Sequence, residues 1–242
     1  MTIDVVLLPR DLLPEHLAGR AVVVFDVLRA TTTMTAALAA GVKEIQVFGN
    51  LEAALEAGHK TTVPHLICGE RNALKPPGFD LGNSPGVFNA REHRGVTLLM
   101  TTTNGTVAIL AAKGAATLFV GAIVNSEAVA KALVSTGRDV TLLCAGTEGY
   151  VSSEDVLGAG SVIAALSSQT KIQLNSDTAW MAHSLFRAER ERLKQALSES
   201  RGGHNIKRAG LTSDIAVCAN LNSIDTVGIV EGDPPVVRLW SR

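Results

Sequence analysis

The chain has 242 residues, 46% of them hydrophobic, and its 22 Lys and Arg against 23 Asp and Glu leave a formal net charge of -1. That supply of apolar side chains suffices for a large buried core and excludes a natively disordered chain. The charge balance excludes the basic field that nucleic acid or anionic lipid requires, which leaves a small molecule as the expected partner.

From the N-terminus, MTIDVVLLPR carries Asp4 and too short an apolar run for a secretory leader. No later stretch reaches the roughly 18 apolar residues of a membrane span. The three cysteines, Cys68, Cys144 and Cys218, lie too far apart for a CxxC knuckle or a dense disulfide framework, so a cytoplasmic protein is expected. Residues 21–26 (AVVVFD) read as a buried strand, 28–32 as a turn with a Thr cap, and 33–40 as a helix stopped by Gly41. A strand over 44–48, a helix over 51–57 capped by Asn50 and ended by Gly58, and a strand over 64–68 follow. The next stretch, GERNALKPPGFDLGNSPG, holds Pro76, Pro77, Pro85 and four glycines and cannot be regular; so long a loop in a compact protein is usually functional.

The rhythm resumes with a strand over 96–101, a turn at 102–106, a helix over 107–112 closed by Gly114, and a strand over 117–121. Asn125 or Ser126 caps a helix to about 135, followed by a strand over 139–144 and a helix over 154–166. Residues 177–199 read as one long surface helix with a charged face, 200–210 as a glycine-broken basic turn, and 213–219 as helix or strand. Closing strands fall at 226–230 and 235–239, around Pro234 and Pro235. Strands alternating with helices predict an α/β fold: a mostly parallel sheet with flanking helices in three layers, α/β/α. It is read as a single unit over 1–242, or as two similar lobes, 1–95 and 96–242, because VVVFDVLRATTT and VTLLMTTTNGT share one scheme.

Helix N-termini just past strand ends present unpaired N–H groups and a positive dipole end, the usual phosphate holder of α/β proteins. Three such turns are decorated here: Thr31 and Thr32 after Arg29; Thr102, Thr103, Asn104, Gly105 and Thr106; and Gly146 ahead of Ser152 and Ser153. Plain helix capping accounts equally well for any one of them. Asp26, Glu70, Glu154 and Asp155 at the same edge would repel a phosphate unless a hard cation lay between, and Mg2+ is the natural choice. First-turn dipole compensation is the competing reading of Glu154 and Asp155. Arg29 and Arg71 offer planar charged forks for phosphate or sulfonate, and Asn83 and Ser84 add polar groups from the long loop. No DxDxT or DxDxV, Cys-x5-Arg, RHG or Walker A pattern occurs.

The stretches DVLRATTT (26–33), GERNALKPPGFDLGNSP (69–85), TTTNGT (101–106), NSEAVA (125–130) and CAGTEGYVSSEDVLGAG (144–160), with a fainter echo at 213–230, resemble the 2-phosphosulfolactate phosphatase family. At Asn222 and Gly228 the chain departs from the Asp and Pro of many members. The resemblance implies Mg2+-dependent hydrolysis of 2-phospho-3-sulfolactate to 3-sulfolactate and phosphate, a step of coenzyme M biosynthesis. Asp26, Glu70 and Asp155 are then expected to be catalytic, with Asp26, Glu70, Glu154 and Asp155 at the metal. Arg29, Thr31, Thr32, Arg71, Asn83, Ser84, Thr102, Thr103, Asn104, Gly105, Thr106 and Gly146 would face the substrate. Attack by water or by Asp26 itself stays open, the missing DxDxT-type motif favouring water. Rival readings are a phosphatase for another small phosphorylated carboxylate and a non-enzymatic anion-binding protein. A homodimer is compatible with the apolar composition.

Overall fold

The computed structural model describes residues 1–241. A strand that the patterns pass over, β1 (Thr2–Val6), precedes β2 (Ala21–Phe25). Helix α1 (Ala30–Ala39) begins earlier than the Thr-cap pattern suggests, because the Thr31 and Thr32 hydroxyls donate back to the Asp26 and Val27 carbonyls instead of capping. After β3 (Glu44–Val47), the Asn50 side chain caps α2 (Leu51–Lys60) by accepting from the Ala53 N–H at 2.8 Å. Gly58 does not end that helix: it lies inside it, where a Cβ would fall 2.6 Å from Ile67 Cδ1. Strand β4 (His65–Gly69) empties into the long irregular loop, which reaches a 3-10 turn at Pro85–Val87 and a short α3 (Ala90–His93).

The middle of the chain follows the expected order: β5 (Thr97–Thr101), α4 (Gly105–Ala111), β6 (Thr117–Gly121), α5 (Ser126–Thr136), β7 (Val140–Cys144) and α6 (Ser153–Ser167). A two-residue β8 (Gln173–Leu174) comes next. The long helix expected at 177–199 is instead α7 (Asp177–Glu189) and α8 (Leu193–Glu199), split by a 3-10 turn at Arg190–Arg192. The expected basic turn is a helix, α9 (Arg201–Arg208). Its two glycines are close-approach positions, not breakers, since a Cβ on Gly203 would fall 1.9 Å from the Leu197 carbonyl, and Ser200 caps the helix by accepting from the Gly203 N–H. Helix α10 (Thr212–Cys218), β9 (Gly228–Glu231) and β10 (Val236–Leu239) complete the chain.

All ten strands form one sheet, ordered β4-β5-β3-β10-β9-β6-β2-β7-β1-β8. Strands β4, β5 and β3 are parallel to one another, as are β6, β2, β7, β1 and β8; antiparallel β10 and β9 join the two blocks, which therefore run in opposite directions. The sheet is mostly parallel, as the alternation of elements predicts. Because β5 pairs with β3 and β4, and β2 with β6 and β7, strands from 1–95 and 96–242 interleave in that single sheet.

Alternation along β2 shows the layering. Ala21, Val23 and Phe25 join a core with residues of α5, α6 and α7, whereas Val22 and Val24 join one with α1 and α4 on the other face. Both faces of β2 are thus covered by helices, which explains its unbroken apolar run. Each such side chain contributes about 1.5–3 kcal/mol of burial. Among the described residues, no helix is long and apolar enough to cross a membrane.

Candidate active site

Asp26 is the first residue past β2 and only 7% exposed. Its Oδ1 accepts the Ala30 N–H at 3.2 Å, and its own N–H donates to Thr31 Oγ1 at 3.0 Å. Opposite stands the start of α4, where a Cβ on Gly105 would fall 2.7 Å from Asp26 Oδ2 and 2.6 Å from Ala30 Cβ. The glycine of TTNGT therefore lets α4 close onto α1 and lets the Gly105 amide bond the Asp26 carboxylate. Burial, reinforced by the charges of Glu70 and Glu154, pushes the Asp26 carboxyl up to about 7.

Glu154 and Asp155 occupy the first turn of α6, both almost wholly buried. Asp155 accepts the Val27 N–H at 2.8 Å and the Gly146 N–H at 2.9 Å, so it clamps together the chain leaving β2 and the chain leaving β7. Glu154 Oε1 accepts the Gly202 N–H at the start of α9 at 3.0 Å, while Oε2 has no partner. The nearby hydroxyls are committed elsewhere, Ser152 to Thr147 Oγ1 and Ser200 to the Leu197 carbonyl. Burial raises both carboxyls, and for Asp155 the charges of Glu154 and Asp26 add to it. Dipole compensation suits their position on α6, but it leaves the orphaned oxygen of Glu154 unexplained; a buried carboxylate oxygen needs a proton or a cation.

A cleft of about 390 Å³ opens beside these groups. Of the residues singled out in the sequence, Asp26, Arg29, Glu70, Asn83, Thr103 and Asn104 line it. Glu70 is held by the Thr103 and Ala73 N–H groups at 2.7 and 2.9 Å, which ties the long loop to the TTNGT turn. Asn83 is buried with Oδ1 unpartnered. The other residues stand behind the wall. Thr102 and Thr106 bond each other reciprocally, Thr31 and Thr32 serve the start of α1, and the Gly146 amide serves Asp155. Several amides expected to be free for phosphoryl oxygens are thus already used by the chain's own hydroxyls and carboxylates. Ser84 touches Arg29, and Arg71 is exposed and does not line the cleft.

Sequence reasoning misses several lining or supporting residues. Asp214, on α10, accepts from Arg29 Nη1 at 2.7 Å and from the Ser84 hydroxyl at 2.8 Å, and Arg29 Nη2 reaches the Ala73 carbonyl at 2.6 Å. Three of the five guanidinium N–H groups are used, which leaves two. Glu148, Asn205 and Arg208 also line the cleft. An acidic residue inside the apolar SDIAVC run is a faint signal for Asp214; Asn205 and Arg208 carry none, because α9 itself is illegible in SRGGHNIKR.

Among the described residues, no group of three or more His, Cys, Asp or Glu forms a ready-made metal cage. The donor set still fits Mg2+, which takes one or two carboxylates and completes its shell with water and substrate oxygens. Asp26 and Glu70 face the cleft, and Glu154 contributes the unpartnered oxygen.

A model of the 2-phosphosulpholactate phosphatase family matches residues 7–233. The chain belongs to this family. Similar relatives include probable 2-phosphosulfolactate phosphatases from Carboxydothermus hydrogenoformans, 40% identical over 227 residues covering 94% of this chain and 92% of the relative. The protein of that name from Deinococcus radiodurans is 38% identical over 227 residues, covering 92% and 93%. That from Symbiobacterium thermophilum is 37% identical over 211 residues, covering 87% and 91%. The 2-phosphosulpholactate phosphatase family is the one to which the motifs at 26–33, 69–85, 101–106 and 144–160 point, and those motifs converge on the cleft from four separate chain segments.

Proposed function

We propose that this chain is a Mg2+-dependent phosphatase that hydrolyses 2-phospho-3-sulfolactate to 3-sulfolactate and phosphate, as coenzyme M biosynthesis requires. The observation that carries this reading is one cleft holding a carboxyl raised to about 7, Asp26, together with Glu70 and the pinned guanidinium of Arg29. Glu70 and the unpartnered oxygen of Glu154 would hold the ion beside Asp26; when bound, Mg2+ supplies the positive charge that lets phosphoryl oxygens lie among carboxylates.

The remaining work falls to the chain. Asp26, fixed by the Ala30 and Gly105 amides, faces the cleft and can take a proton from the water whose oxygen bonds to phosphorus as the ester P–O bond breaks. Arg29 is already immobilised by Asp214, Ser84 and Ala73, so its two remaining N–H groups can meet anionic oxygens without reorganisation. Phosphate release from 2-phospho-3-sulfolactate and from sulfonate-free esters, with Mg2+ or with EDTA, tests the proposal. Turnover should prefer the sulfonated ester and stop in EDTA. No release from any ester in Mg2+ sinks it, and undiminished turnover in EDTA removes the metal from it.

A further inference from the structure

We infer that Arg208, at the end of α9, is the docking group for one of the substrate's two compact oxyanions besides the scissile phosphate, its sulfonate or its carboxylate; this rests on the phosphatase reading of the cleft. Only Arg29 and Arg208 among the described lining residues are cations. Arg29 forms a buried ion pair with Asp214 at 2.7 Å, so although two of its N–H groups remain for phosphoryl oxygens, the pair carries no net charge. Among the described residues Arg208 pairs with no carboxylate: its side chain donates to the neutral Asn205 Oδ1, one turn earlier on α9. Among the described lining residues, the acids Asp26, Glu70 and Glu148 thus share the cleft with a single uncompensated cation.

The placement is firm. Ile206 of α9 is 2% exposed, and the Gly202 amide is bound to Glu154, so the helix is anchored at the carboxylates by its first turn. Arg208 lies six residues further on, about 9 Å along the axis, and helical side chains lean back toward the N-terminus. An ester with its phosphate at Asp26 would therefore turn its other anionic end toward Arg208. A planar guanidinium matches the oxygens of a sulfonate or a carboxylate. The competing role for Arg208 is compensation of the α9 dipole, which would touch stability alone.

The test compares kcat/KM of wild type, R208Q, R208K and K207Q on three esters: 2-phospho-3-sulfolactate, 2-phospholactate, which keeps only the carboxylate, and isopropyl phosphate, which has neither. Lys207 is exposed and does not line the cleft. R208Q should lower the preference for an anion-bearing ester over isopropyl phosphate by about 10- to 100-fold, with R208K intermediate and K207Q like wild type. Loss confined to the sulfonated ester assigns the sulfonate; equal loss for both acids assigns the carboxylate. Equal loss on all three esters, no loss, or a K207Q effect matching R208Q overturns the inference. Calorimetric binding of 3-sulfolactate separates its fate from that of the proposed reaction. If wild type cleaves no ester, weaker binding to R208Q than to wild type still supports Arg208, and equal or absent binding rejects it.

Discussion

The acidic side of the site, Asp26 at the cleft with Glu154 and Asp155 buried behind it, is held by backbone N–H groups, those of Ala30, Gly202, Val27 and Gly146. On the cationic side, Arg29 is held mainly by other side chains, Ser84 from the long loop and Asp214 from a helix 185 residues away. Backbone donors survive side-chain substitutions other than proline, so the acidic side keeps its geometry through most substitutions. The cationic side depends on three side chains that each need the other two. Chemistry and architecture are thus separable on the acidic side and inseparable on the cationic side.

The largest effect that follows is chemical. Asp26→Asn keeps the size and the Ala30 contact but removes both the negative charge and the proton acceptor, so kcat should fall by about 10²–10⁴-fold. Melting temperature should hold or rise, because the buried charge is gone. A variant that keeps near wild-type turnover would remove Asp26 from the mechanism. On the cationic side Asp214→Ala should do the opposite: it strands a buried guanidinium and costs about 3–5 kcal/mol of stability. Asp214→Asn, which retains an acceptor for Ser84, should lose less stability and raise KM more than it lowers kcat. If denaturant melts place Asp214→Ala level with wild type, the contrast between the two sides fails.

The same contrast governs what could be read from the chain. β2, the Asn50 cap and the TTNGT turn follow from local rules, and the structure contains each of them. Asp26 and Glu70 were legible as cleft residues because a carboxylate following an apolar strand, or opening a long Pro-Gly loop, has few idle roles. Asp155 was legible as an acid at the strand-end edge but not as a clamp, since its partners Val27 and Gly146 are backbone groups brought near only by the pairing of β2 with β7. Helix α9 was illegible for a related reason. Gly202 and Gly203 look like breakers, and only Glu154 and Leu197 packed against them show why nothing larger fits. Asp214 and Arg208 inherit that opacity, because their roles exist only once α9 and α10 are docked.

A smaller effect, in stability and not in rate, sharpens the account of the acidic side. The carboxyls of Asp26, Glu154 and Asp155 are all raised by burial, Asp26 to about 7, so in the folded protein they hold protons that the unfolded chain has already released. The native state then binds more protons than the unfolded state across the window from ordinary carboxyl values, about 4, up to about 7, and stability must fall as pH rises through it. His183 opposes this, since burial depresses its imidazole and makes protonation costly to the fold, but it is one half-buried group against three buried acids. Metal-free protein should therefore melt at a higher temperature near pH 5.5 than near pH 8. Excess Mg2+ should raise the pH 8 value more than the pH 5.5 value, because a cation can replace the missing protons only where the carboxylates are ionised. Equal melting temperatures at the two pH values in EDTA would mean that the acids are not charged against one another; a Mg2+ shift of the same size at both would mean that the ion binds somewhere else.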